Sequence, residues 1–409
     1  MTDEQTPSDS PQARSAEARG SVQGGPALMG RVTPFELFFD LVYVFTLTQI
    51  TGYMAHEHTG IGVVQGLLLL ALVWFSWSAY AWLGNQARSS DRGVLRAGLV
   101  VAMAGVFVVA LTVPEAWHDG PGRLNGPLVL ACAYVFARCV HPIVYAVLAD
   151  DDRALLRQVA ISVPPVLGAG ALLITGAVLG GTTQTVLFAV AIVVDWGGVY
   201  ATSRRGNWRI HSASYFTERH ELFIIIALGE SLLAMGAAAS QQPIDLPLLT
   251  AAVLGVAATA SLWWLYFDIV TRIVEHRLEE TRGAQRLSLA VLAYGYAHFP
   301  IVAGIVLTAL GMEGVIADAG STEGLGTFSA SALCGGAALY LGGLTLLARA
   351  TVAVWAPFRL GAMLVLLASL PAAAALPPLA ALAGVVVILA AVAAVETWWY
   401  SELRRKVRP

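Results

Sequence analysis

The sequence predicts an all-α membrane protein, a bundle of about twelve transmembrane helices arranged as two parallel six-helix repeats. Three observations predict it. The 409 residues are 57% hydrophobic and only 12% charged, where a soluble domain carries roughly 25% charged residues. Twelve apolar stretches approach the length of about 20 residues that a bilayer-spanning helix needs. The basic residues fall almost entirely between alternate pairs of those stretches.

Residues 1–30 are rich in Ser, Gln, Gly, Pro and Ala and hold almost no large apolar side chains. This is the composition of a disordered tail. The tail lacks the apolar core of a cleavable signal peptide, so the first apolar stretch is expected to act as the insertion signal. The stretches then run over 35–54, 61–83, 93–113, 125–148, 158–178, 182–202, 220–240, 246–270, 286–311, 327–348, 352–374 and 377–400. Pro164-Pro165, Pro371 and Pro377-Pro378 blur three of these boundaries. Proline is tolerated in a spanning helix when neighbours satisfy the freed backbone groups.

Lys and Arg concentrate in cytoplasmic loops. With the N-terminus inside, 22 of the 24 basic residues fall in inner segments, Arg123 falls in an outer loop and Arg138 falls within a stretch. A missed or extra helix would spoil this segregation, so both termini are expected in the cytoplasm. The second half echoes the first. Phe35-Glu36-Leu37-Phe38 opens the first stretch and His220-Glu221-Leu222-Phe223 opens the seventh. Aromatic clusters recur in the second and eighth stretches, at Trp74 to Tyr80 and at Trp263 to Tyr266. The expected organisation is therefore a cytoplasmic tail over 1–30, a first repeat over 31–205, and a second over 206–409 ending in a short basic cytoplasmic segment. Six is even, so both repeats enter the membrane the same way up.

Ionisable residues inside the apolar runs are the candidate functional groups, because burying them in hydrocarbon is costly. Glu36 and Asp40 lie four apart and share one helix face. Glu36 also suits a helix start, where an acid meets the positive end of the dipole. Glu230 falls near the middle of the seventh stretch, Asp195 in the inner half of the sixth, and Asp268 and Glu396 nearer the cytoplasmic side. Arg138 and His141 occupy the fourth stretch and His298 the ninth. One acid is expected to pair with Arg138. The others would be protonated, hydrated, hydrogen-bonded or occupied by a cation. Gly229 and Ser231 beside Glu230 suggest a crowded helix contact, and His298 before Phe299-Pro300 could cap a carbonyl freed by the proline.

Other chemistry is not visible. The net charge of −3 leaves no footprint for nucleic acid. No nucleotide-binding loop, hydrolase nucleophile elbow or zinc-binding helix motif is present. Cys132, Cys139 and Cys334 lie in apolar runs and read as small core residues, and no cofactor or metal is implied.

The stretches E-L-F-F-D-L-V-Y-V-F at 36–45, E-R-H-E-L-F-I-I-I-A-L-G-E-S at 218–231 and H-F-P-I-V-A-G-I-V at 298–306 resemble the low temperature requirement A family of bacterial membrane proteins. The resemblance covers nearly everything after about residue 30 and implies a bacterial inner-membrane location. It marks Glu36, Asp40, Glu218, Arg219, His220, Gly229, Glu230 and His298 as its characteristic polar or glycine positions. It implies no substrate. The run 38–48 also resembles the first-helix F-S-D motif of the lysosomal potassium channel family, with Phe39 in place of its serine.

The residues point to a transporter or channel for a small solute, H⁺ or a monovalent cation. Its path would use Asp40, Glu230, Asp195, Glu36 and Asp268, with Arg138, His141 and His298 as tuning or pairing groups. The alternatives are a membrane sensor or scaffold held by structural ion pairs, and an integral membrane enzyme acting on a lipid-borne substrate.

Overall fold

Helix starts are set by side-chain caps. Thr33 and Glu36 form a reciprocal capping box around Pro34, Asn125 caps Leu128 N–H and Asp152 caps Ala154 and Leu155. Ser212 caps Tyr215 and Asp245 caps Leu248. Each cap satisfies donors that the first helical turn leaves unpaired. The computed structural model describes residues 32–86, 92–118, 120, 122, 124–203, 208, 210–268 and 270–401. The tail over 1–30 lies outside the described residues. So do Arg31, Arg88, Arg123, Arg204, Arg205, Arg209, Arg404, Arg405, Lys406 and Arg408.

Among the described residues the fold is helical without strands. The first half contains α1 (Pro34–Glu57), α2 (Gly60–Gln86), α3 (Arg92–Thr112), α4 (Gly126–Ala149), α5 (Arg153–Leu179) and α6 (Gly181–Ser203). The second begins with α7 (Ala213–Ala239) and α8 (Leu246–Phe267), followed by α9 (Val270–Glu280) and α10 (Gly283–Ala290). A π-helical turn, Val291–Ala297, leads into α11 (His298–Ala317), and α12 (Thr327–Val352), α13 (Pro357–Ala368), α14 (Leu370–Ala375) and α15 (Pro378–Trp399) complete the chain. Eleven of the described helical segments are long and apolar enough to cross a membrane.

The eleventh expected span, over 352–374, is broken. Its residues form α13 and α14, which meet at Ser369 just before Pro371. The loop before α12 closes the far end of α14: Leu325 N–H donates to Leu376 O at 2.9 Å and Gly326 N–H to Ala374 O at 3.0 Å. Such borrowed donors satisfy carbonyls that the last turn of a helix leaves open. The seventh helix starts seven residues earlier than the apolar run suggests, because Ser212 supplies the cap.

The two halves share one order of neighbours. In the first, α1 packs on α2 and α3, α3 on α4, α4 on α5, α5 on α6, and α6 returns to α2. In the second, α7 packs on α8 and α11, α11 on α12, α12 on α13, α13 on α15, and α15 returns to α8. Cys334 is buried as expected, whereas Cys132 is exposed, since it lies on the outward side of α4.

Candidate functional site

Glu36, Asp40, Arg219 and Glu230 lie along the seam between α1 and α7. Val32 N–H donates to Glu218 Oε2 at 3.1 Å. The Tyr215 hydroxyl donates to Glu36. Arg219 grips Asp40 with two parallel bonds, Nη1 to Oδ2 at 2.8 Å and Nη2 to Oδ1 at 2.9 Å. Thr48 Oγ1 donates to Glu230 Oε2 at 2.6 Å. Partners rise together along both helices, 215 with 36, 219 with 40 and 230 with 48. The helices α1 and α7 therefore run side by side in the same direction.

The Asp40–Arg219 pair is buried. Asp40 is 0% exposed and Arg219 1%. Trp77 Nε1 donates to Asp40 Oδ1 at 2.8 Å, and the guanidinium carbon lies 5.7 Å from the Trp77 ring centroid. Two-point pairing with a flat indole above it suits guanidinium better than an ammonium group.

This placement changes the charge accounting. The sequence reading sets Arg219 and Arg359 in cytoplasmic segments and leaves Arg138 as the one arginine inside. Both Arg219 and Arg359 are buried. Arg138 holds Asp195 through Nη2, at 2.9 and 2.8 Å from the two carboxylate oxygens. Arg359 holds Glu396 through Nε and Nη2, both at 2.8 Å. Three acids therefore have arginine partners where one was expected. The cause is local: with α7 capped at Ser212, Arg219 sits about two turns inside the helix.

Glu36 acts as a capping residue as well as a seam contact, its Oε2 accepting from Thr33 N–H at 2.8 Å. Asp268 closes the end of α8, where its N–H bonds Trp264 O. Gly229 has open space where a Cβ would stand, so the crowded contact expected there is absent at that position.

Histidines form a separate aromatic network behind the seam. His220 Nδ1 bonds Phe216 O at 2.8 Å. Its ring lies 5.0 Å from Trp77, 4.6 Å from Tyr294 and 5.5 Å from His298, centroid to centroid. His298 Nε2 meets the Tyr266 hydroxyl at 2.8 Å, and Nδ1 meets Ala293 O, five residues back, at 2.7 Å. That carbonyl lies in the π turn. Pro300 has no N–H to give, and Gly295 O, five residues before it, accepts from Trp74 Nε1 at 2.9 Å. His298 therefore bonds the Ala293 carbonyl and not one freed by Pro300, as was expected, and Trp74 serves the carbonyl facing the proline.

Asp40, Glu230 and His298 thus have three different sets of partners. Among the intramembrane acids, Glu230 stands apart. It is 1% exposed, Oε2 is held by Thr48, and Oε1 is buried without a protein partner. Sequence reasoning missed Thr48, Tyr215 and Trp77 because hydroxyl and aromatic residues are ordinary in spanning helices. It missed the place of Arg219, which counting from Ser212 would have given.

A helical bundle with long apolar spans and a core of buried carboxylate–guanidinium pairs defines a polytopic integral membrane protein. The chain belongs to the bacterial low temperature requirement A (LtrA) family, whose model matches residues 31–394. It is 27% identical over 383 residues to an uncharacterized protein of Rhizobium meliloti (strain 1021), a match covering 90% of each chain. No solved structure matches it significantly.

Proposed function

We propose that this LtrA-family protein passes a proton or a monovalent cation across the bacterial inner membrane, with Glu230 as the group that carries or binds it. One observation bears the reading, the contrast among the intramembrane acids. Asp40, Asp195 and Glu396 are each neutralised by an arginine. Glu230 has a threonine hydroxyl and one free oxygen. An ionised carboxylate so placed in a membrane interior is costly, and a proton or a bound cation removes the cost. The Asp40–Arg219 pair, beside it on the same seam, then serves to hold α1 against α7.

The test is flux through purified protein in liposomes, against H⁺, Na⁺ and K⁺ in turn. Glu230→Gln is expected to abolish the flux of the transported ion while the protein keeps its elution profile and melting temperature. Wild-type flux in the variant would remove Glu230 from the mechanism. The second reading, a non-transporting scaffold or sensor, is favoured by the three arginine pairs. It predicts no flux of any of the three ions through the unmodified protein.

We further propose that the halves are parallel repeats with both termini in the cytoplasm. The matching order of neighbours and the common direction of α1 and α7 support the repeat, and the segregation of basic residues supports the orientation. In a background with Cys132, Cys139 and Cys334 replaced, a cysteine placed at Gly320 is expected to react with an impermeant thiol reagent on intact cells. One placed at Asp151 is expected to react only after permeabilisation. The reverse pattern would invert the topology.

A further inference from the structure

Glu313 lies just beyond the ninth apolar stretch, yet it falls inside α11. It is half-buried. Among the described residues it has neither a hydrogen-bond nor an ion-pair partner. Contacts along α7 and α11 fix its level relative to Glu230. The two helices pack together, and α11 also touches α1. The hydroxyls of Thr217 and Tyr294 meet at 2.7 Å, and the ring of His220 faces that of His298. Nearer the other end, a Cβ at Gly255 of α8 would meet the sulfurs of both Met235 and Met312. The numbers in these pairs differ by 77 or 78, so the helices run in the same direction and in step. Glu313 therefore stands about one and a half turns beyond the level of Glu230, roughly 8 Å along the axis. Across that distance its charge acts on Glu230.

The surroundings of Glu230 suit a proton. Thr48 Oγ1 stands between two acceptors, 2.6 Å from Glu230 Oε2 and 3.3 Å from Val44 O. A hydroxyl carries one proton to donate and two lone pairs to accept. When Glu230 is ionised, Thr48 donates to it. When a proton binds at Oε2, the new O–H donates to Thr48 Oγ1, and the hydroxyl turns its own proton to Val44 O. The change needs one bond rotation and no added volume. An alkali cation needs a set of oxygen ligands in place of its water shell. Glu230 is 1% exposed with one hydroxyl bonded to it.

We propose that Glu230 and Glu313 form one proton site, a carboxylate pair that holds a single exchangeable proton. Glu230 is its enclosed end and Glu313, four residues from the end of α11, its open end. The proposal rests on Glu230 as the ion-binding group and adds the identity of the ion and a second acid. Two carboxylates close together in a membrane interior resist joint ionisation, so they take up and release protons as a pair.

The test treats the full chain in liposomes with dicyclohexylcarbodiimide. The reagent adds to a protonated carboxyl group in apolar surroundings and spares a carboxylate. Peptide mass spectrometry then locates the adduct. An adduct is expected at Glu313, formed several-fold faster at pH 6 than at pH 8, and at one rate in Na⁺, K⁺ or choline salt. No adduct at Glu313 would overturn the proposal. Protection by Na⁺ or K⁺ would also overturn it, since a metal cation would then be taking the place of the proton. In Glu230→Gln the labelling rate of Glu313 is expected to change several-fold, because its ionisable neighbour is gone. An unchanged rate would break the pair. These readouts are independent of flux. Flux lost in Glu230→Gln without labelling of Glu313 would overturn the pair and spare the transport reading. Labelling as expected, with wild-type flux in Glu230→Gln, would support the pair and remove transport.

Discussion

Arg219→Met is expected to destabilise the protein by about 3–5 kcal/mol, the loss that follows when one member of a buried ion pair is removed and its partner stays. Asp40 would remain fully enclosed with only the Trp77 indole to meet its charge. The double variant Asp40→Leu with Arg219→Met should recover most of that loss, because paired replacement by apolar residues is commonly near neutral. Arg219→Lys should fall between, since one ammonium group cannot reproduce two parallel bonds and lie flat near the indole. Thermal unfolding of detergent-purified protein, followed by size-exclusion chromatography, ranks the four chains. If Arg219→Met melts with the wild type, the pair does not hold α1 to α7. If the double variant is worse than the single, the pair contributes more than charge compensation.

Much of this architecture is legible in the sequence. Hydropathy marks the spans because lipid leaves the backbone only helices to choose from in a chain of this kind. The exposed tryptophans at the end of α15, Trp398 and Trp399, are equally expected of a membrane boundary. What was not legible depends on contacts between distant residues. Asp40 and Arg219 are 179 residues apart, and Thr48 and Glu230 are 182 apart. No local pattern says which acid finds which arginine. Arg219 was misplaced for a further reason: a hydropathy window ends at the first cluster of polar residues, and Thr217 to Glu221 is such a cluster. A helix that buries those residues against its neighbours continues through them. The end of α14 was equally hidden, since the donors that satisfy its last carbonyls come from residues 325 and 326. Glu230 was found because it stands in an otherwise apolar run, and its missing arginine became visible only beside the pairs that Asp40, Asp195 and Glu396 make.

Gly336→Ala is expected to destabilise by about 1–3 kcal/mol or more, as overpacking of a close contact does, while Gly335→Ala next to it is tolerated. The difference lies in what each added methyl group would meet. At Gly336 a Cβ would run into Thr308 N and stand 2.8 Å from Leu307 C, both backbone atoms of α11. The opposing residue, Gly304, faces the same limit, 2.5 Å from Tyr340 N and 2.8 Å from Gly336 O. Backbone cannot rotate aside as a side chain can, so α11 and α12 would have to separate. Close approach through small residues replaces the hydrophobic drive that lipid does not supply between helices. At Gly335 nothing lies within 4 Å, and alanine gains up to about 1 kcal/mol of helix propensity there. The separation would also reach the seam, because α11 packs on α7, the helix that carries Arg219 and Glu230. Any flux that depends on Glu230 should therefore change in Gly336→Ala together with its melting temperature. A Gly336→Ala protein that melts with the wild type would mean that α11 and α12 do not meet backbone to backbone.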